Sequence, residues 1–149
     1  GALRRAGARV SLPPVRGQHV PHLHEGLLVV RPWRLDITAM EAGAQYLLGE
    51  HDFKSFCMAA SAEGKPTHRN VREISFHPET VMGENLMSIK VVGNAFLHSM
   101  VRTIVGTLVM VGKGQRDADW VGEVLEACDR RVAGENAPAQ GLVFWRVIY

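Results

Sequence analysis

Polarity along the chain changes rhythm several times, and each change predicts an element. Asp36 is a favourable N-cap, and Ile37, Met40, Ala44, Tyr46, Leu47 and Leu48 follow at helical spacing until Gly49 stops them. His51 to Phe56 reads as a short helical turn that buries Phe53 and Phe56. Residues 71–77 and 86–92 alternate, with Ile74 and Phe76 on one face of the first and Met87, Ile89 and Val91 on one face of the second. The intervening ETVMGEN supplies a turn, which predicts a β-hairpin. A long helix is expected from about Ala95 to Val111, stopped by Gly112 and Gly114. Asp117 or Asp119 then caps a helix running to about Cys128, and residues 130–141 read as a loop. LVFWRVIY at 142–149 is apolar on both faces apart from Arg146, which predicts an interior strand. Residues 1–34 hold Pro13, Pro14, Pro21 and Pro32, and predict an extended arm with at most a short strand near Gly26 to Val30. This order predicts an α+β fold, a mostly antiparallel sheet with helices packed on one face.

Composition removes several classes. The 149 residues are 46% hydrophobic and 21% charged, which excludes a disordered tail, a collagen-like repeat and a disulfide-stapled miniprotein. Cys57 and Cys128 are too few for a disulfide framework and match no zinc spacing, so they read as reduced thiols of a cytoplasmic protein. The net charge of +2 conceals an asymmetry. Residues 1–34 carry six Lys/Arg against Glu25 alone, whereas residues 35–149 carry eleven against fourteen acids. The chain therefore divides into a basic, proline-containing arm or connector (1–34) and a folded domain (35–149). The opening lacks the apolar run of a secretory signal. Between Lys90 and Lys113 the only charge is Arg102, but Asn94, His98, Ser99, Thr103 and Thr107 interrupt the stretch, and no membrane span is expected.

Candidate chemistry is sparse. On a helical wheel, Phe96, Leu97, Met100, Val101, Ile104, Leu108 and Val111 crowd one arc. Asn94, His98, Arg102 and Gly106 recur on the other side, beside Ser99, Thr103 and Thr107. A solvated stripe normally carries Glu and Lys. This one has a single arginine, so it either meets water or closely approaches a polar partner. Lys65, His68, Arg69 and Arg72 in KPTHRNVRE form either a phosphate-neutralising cluster or an ordinary solvated edge. His19, His22 and His24 in HVPHLH have no carboxylate or thiolate spaced to complete a metal site, and no metal is expected. Cys57 sits in an apolar context that would keep a thiol protonated. No glycine-rich loop opens a helix, so a phosphate loop is absent.

Four blocks, in this order and with these gaps, carry a resemblance: LLGEHDFKSF (47–56), the TxRNVREI run through Arg69 and Ile74, GNAFLHSMVRTIVGTLVMVGKG (93–114) and DRRVAGENAPAQGLVFWRVIY (129–149). Together they resemble the C-terminal half of the tRNA pseudouridine synthase A family. AFLHSMVRTIVG is the most specific block, and the likeness covers residues 35–149. It implies one half of the pseudouridine synthase fold and cofactor-free isomerisation of uridine to pseudouridine in tRNA, in the anticodon stem-loop. It further implies a homodimer with tRNA as partner. In that family an aspartate attacks the nucleoside, the glycosidic bond breaks, and the uracil turns and rejoins the ribose through carbon. The arginine of the MVR triplet pairs with that aspartate, and here it is Arg102. Lys65, His68, Arg69, Arg72, Asn94 and His98 are the expected RNA contacts.

The departure from the family pattern is informative. The family's nucleophile lies in an Arg-Thr-Asp-Ala-Gly motif of the N-terminal half, and none of Asp36, Asp52, Asp117, Asp119 or Asp129 has that context. Neither Tyr46 nor Tyr149 matches the family's site tyrosine. The resemblance therefore implies a chain that supplies Arg102 and part of an RNA surface, is inactive alone, and needs an N-terminal half as partner. A noncatalytic RNA-binding module of the same fold is the alternative.

Overall fold

The computed structural model describes residues 8–12, 23–32, 34–58, 60, 63–97 and 99–133, and the backbone of residues 142–148. In chain order the elements are β1 (Ala8–Ser11), β2 (His24–Val30), α1 (Ile37–Gln45), β3 (Gly49–Asp52), a 3₁₀ turn (Lys54–Phe56), β4 (His68–Val81), β5 (Glu84–Gly93), α2 (Met100–Gly112), α3 (Asp119–Ala127), a second 3₁₀ turn (Arg130–Val132) and β6 (Leu142–Ile148). The strands form one sheet in the order β1-β4-β5-β2-β6, with β3 also paired to β4, and every pairing is antiparallel. This is the expected α+β architecture.

One face of the sheet carries the core. Leu28, Ile74, Phe76, Ile89 and Val91 are fully buried against Met40, Met100, Ile104 and Leu108 of the helices. Burying a side chain of this size stabilises the fold by about 1.5–3 kcal/mol relative to leaving it exposed. The opposite face is polar across strands: Glu73 lies between Arg9 (3.5 Å) and Lys90 (3.5 Å), and Lys90 also reaches Glu25 at 3.9 Å.

Local chemistry explains the elements that the pattern anticipates. Asp36 caps α1, its Oδ1 accepting from Ala39 N at 3.1 Å. The β4–β5 hairpin closes through Met82 and Gly83, both at positive φ, as a two-residue loop requires. Asp117 Oδ1 accepts from Trp120 N at 3.0 Å at the start of α3.

Five expectations are corrected. The proline-containing region is not merely an arm: β1 pairs with β4, and β2 is a seven-residue strand flanked by β5 and β6. The helix expected from 95 begins at Met100, because β5 continues to Gly93 and Ser99 takes a left-handed φ of 63°. The helix from Ile37 stops at Gln45, and Gly49 (φ 96°) instead opens β3, which takes residues 51 and 52 of the expected helical turn. β6 is a strand, but it pairs only with β2 among the described residues and so ends the sheet. Of the loop expected at 130–141, Arg130–Val132 is a 3₁₀ turn, and residues 134–141 lie outside the described residues.

Candidate functional site

The helix carrying Arg102 is seated by a glycine. Val101 of α2 lies over Gly26 of β2, where a Cβ would come within 2.5 Å of Val101 Cγ2. Only the absence of a side chain at 26 lets the first turn of α2 approach the sheet so closely. Thr103, Gly106 and Thr107 are buried too, so the stripe beside Arg102 is not a solvated face. Arg102 is the one charged residue of α2 and is half-buried. Its Nε is buried and has no hydrogen-bond partner among the described residues.

The starts of β2 and β4, the end of β5 and the first turn of α2 meet at one end of the sheet. Gly93 is opposite both His24 and Val71. The His24 ring meets Phe96 edge-on, with centroids 6.4 Å apart. Asn94 follows Gly93 and is bound to Asn70, whose N–H donates to Asn94 Oδ1 at 2.9 Å. Arg69, beside Asn70, donates from Nη1 to the carbonyls of His68 (2.7 Å) and Pro66 (3.3 Å). Arg69 Nε and Asn70 Oδ1 are buried without a partner among the described residues. Arg72 falls where the register shifts between Val71 and Glu73, a β-bulge, which is a device that re-aims a side chain. Lys65 and His68 are exposed, and His98 lies outside the described residues. The structure thus brings Arg69, Arg72, Asn94 and Arg102 to one end of the sheet, with Lys65 and His68 on the segment leading into it.

Two further cations join this end, unmarked by any run of charge in the sequence. Ser55 Oγ donates to Val124 O at 2.6 Å and accepts from Asp129 N at 2.8 Å. That stitch draws the turn carrying Lys54 to the segment carrying Arg130. Both cations, with Arg69, act on the Cys57 thiol through space. Burial pushes the Cys57 thiol up, and nearby Asp52 pushes the same way, so this cysteine is a poor nucleophile. Cys128 is raised by the same two causes. Burial alone would raise the Asp52 carboxyl, but the Thr67 hydroxyl, the Lys54 N–H and the His68 charge outweigh it, and the group is held below its ordinary value. Asp129 is held at about 2 by its hydrogen bonds from Arg131. These carboxylates are committed to structure. Among the described residues no three His, Cys, Asp or Glu side chains converge as a metal site would need, and no helix is long and apolar enough to cross a membrane. His24 stands on β2, while His19 and His22 lie outside the described residues.

A family model described as tRNA pseudouridine synthase matches residues 44–149. The chain belongs to the tRNA pseudouridine synthase family. Similar proteins include the tRNA pseudouridine synthase A of Brevibacillus brevis, 48% identical over 116 residues, which are 77% of this chain and 45% of that protein. That of Myxococcus xanthus is 47% identical over 115 residues, 77% of this chain and 42% of its own length. That of a Geobacillus strain is 41% identical over 118 residues, 79% of this chain and 46% of its own length. The chain spans less than half the length of these synthases, and the likeness lies at one end of them. The pseudouridine synthase match begins within α1, so it takes in β3 to β6, α2 and α3 and leaves β1 and β2 outside.

Proposed function

We propose that this chain is the C-terminal half of an enzyme that isomerises uridine to pseudouridine in the anticodon stem-loop of tRNA. In this reading an N-terminal half supplies the attacking aspartate, and Arg102 holds that carboxylate ionised and oriented. The observation that carries the reading is the Arg102 guanidinium, whose Nε is buried without a partner among the described residues, on a helix that has no other charge. Such an arginine is costly unless a carboxylate or phosphate meets it in the assembled enzyme. A carboxylate beside a guanidinium is favoured in its charged form, and the charged form is the nucleophile.

The target uridine leaves its stack to reach the aspartate, which attacks the nucleoside. The N1–C1′ glycosidic bond then breaks and the uracil turns; its C5 bonds to C1′ as the aspartate is released, and the proton lost from C5 is matched by one taken up at N1. Substrate and product are isomers, so the net reaction consumes no oxidant or reductant. Lys65, His68, Arg69 and Arg72, with Lys54 and Arg130, line a path on which RNA phosphates can lie. The enzyme works in the cytoplasm as a homodimer, with tRNA crossing both subunits.

The test adds the chain to unmodified tRNA, alone and together with the N-terminal half. Alone it leaves uridine unchanged; together they form pseudouridine. Turnover by the chain alone overturns the division of labour. tRNA binding with no turnover in the assembled protein favours a noncatalytic RNA-binding module.

A further inference from the structure

We propose that Asn94 is a positioning residue for Arg102, acting through its bond to Asn70 and not through contact with RNA. The proposal rests on the preceding reading of Arg102.

The connection from β5 to α2 spans residues 94–99, between Gly93 and Met100. Its first residue is fixed from both sides. Asn94 N–H donates to Asn70 O at 3.0 Å, and Asn70 N–H donates to Asn94 Oδ1 at 2.9 Å. This is the two-way exchange of a hydrogen-bonded antiparallel pair, with a side-chain oxygen in place of one carbonyl. The Asn94 side chain thus extends the sheet by one rung past Gly93. The strands close tightly here: a Cβ on Gly93 would lie 2.9 Å from Asn70 O and 3.3 Å from Phe96 Cε1. After the rung residues 95–97 have no regular backbone, and the Ser99 carbonyl accepts from Thr103 N at 2.9 Å. The direction in which α2 leaves the sheet, and so the aim of Arg102 in its first turn, depends on where this connection is pinned. Losing the Asn94 oxygen would unpin it and leave Asn70 N–H without its acceptor.

Asn94 is exposed at a basic end of the sheet, which equally suits a residue that touches RNA. The two roles predict opposite results for Asn94→Asp. Aspartate keeps an oxygen for Asn70 N–H, yet loses the amide donor and adds a negative charge facing phosphates. The experiment measures single-turnover rate and tRNA affinity in the assembled enzyme for wild type, Asn94→Ala, Asn94→Asp and Arg102→Ala. Asn94→Ala is expected to slow the reaction by about 10- to 100-fold, as small misplacements of a reacting group do, with affinity held within about twofold. Asn94→Asp is expected to recover most of that rate. Amide exchange on the chain gives a readout independent of turnover: Asn70 N–H loses protection in Asn94→Ala and keeps it in Asn94→Asp. A wild-type rate in Asn94→Ala, or tRNA binding weakened about tenfold or more in Asn94→Ala, overturns the proposal. Should Arg102→Ala retain full activity, it is the reading of Arg102 that falls, and the positioning role falls with it. An inactive Arg102→Ala beside a fully active Asn94→Ala overturns the positioning role alone.

Discussion

Truncating Arg102 takes a charge from α2 but little packing, because its apolar neighbours Val101, Ile104 and Val105 already fill the core contacts of that turn. Arg102→Ala in the assembled enzyme is therefore expected to fold and bind tRNA while its rate falls roughly 10²–10³-fold, the usual loss when one preorganised electrostatic group is removed. Arg102→Lys keeps the charge without the planar fork and should recover little of that loss. Single-turnover kinetics checks both. At Asp129 the expected behaviour concerns pH. Its carboxyl is held at about 2, below the ordinary 3.8, because Arg131 donates to it from both Nε and Nη2. A depressed carboxylate contributes its stabilising interaction fully above the ordinary value and loses it as pH falls toward 2. NMR titration of Asp129 should give that low midpoint, and Arg131→Gln should return it toward 3.8. The pair is exposed, so the effect on global stability is small.

Glycine 26 shows how one position governs an element. A Cβ there would sit 2.5 and 2.8 Å from the two Val101 methyls, so Gly26→Ala must push α2 off the sheet. Overpacking of this kind costs typically 1–3 kcal/mol, which a shift in denaturation midpoint would show, and the displaced helix should lose activity beyond that. Elements were legible where local chemistry and pattern agreed. Asp36 before Ile37, and Met82-Gly83 between alternating runs, announce a cap and a hairpin by themselves. β2 was legible only as a short strand near Gly26 to Val30, because HEGLLVV lies between two neighbouring strands and does not alternate cleanly, and its flanking prolines suggested a connector. The start of α2 was misplaced because residues 95–97 fit a helical wheel as well as a connection does. What excludes the helix there is the pairing of Asn94 with Asn70, a partner 24 positions away.

Across the whole molecule, the candidate site shows the same division. Arg102 stands out in the sequence as a lone charge in an uncharged run, and the structure adds its buried Nε, unpartnered among the described residues. Lys65, His68, Arg69 and Arg72 were visible as a cluster because they are neighbours in the chain. Lys54 and Arg130 were not, since only the Ser55 stitch, with partners 69 and 74 positions away, brings them together. If this end of the sheet tracks RNA phosphates, tRNA affinity falls steeply with salt, and each neutralised phosphate contributes a slope of about 0.7–0.9 in log–log form. Arg69→Ala with Arg72→Ala should flatten that slope by one to two such increments, measured by binding across a salt series. An unchanged slope would make the cluster an ordinary solvated edge.

The seat of α2 on β2 also separates two ways of drawing a boundary. The match to the family model starts at residue 44, whereas the hydrogen-bonded unit reaches back at least to Ala8. A polypeptide cut where the likeness begins would lose the strand between β5 and β6, and with it Gly26 beneath Val101. Two rows of backbone donors and acceptors would then be bare, which is an invitation to self-association. The expected result is an aggregating fragment, checked by light scattering, in contrast to the intact chain. For this molecule the segment that the family model matches and the hydrogen-bonded unit are different lengths of chain, and the difference includes the strand placed under the helix that bears Arg102.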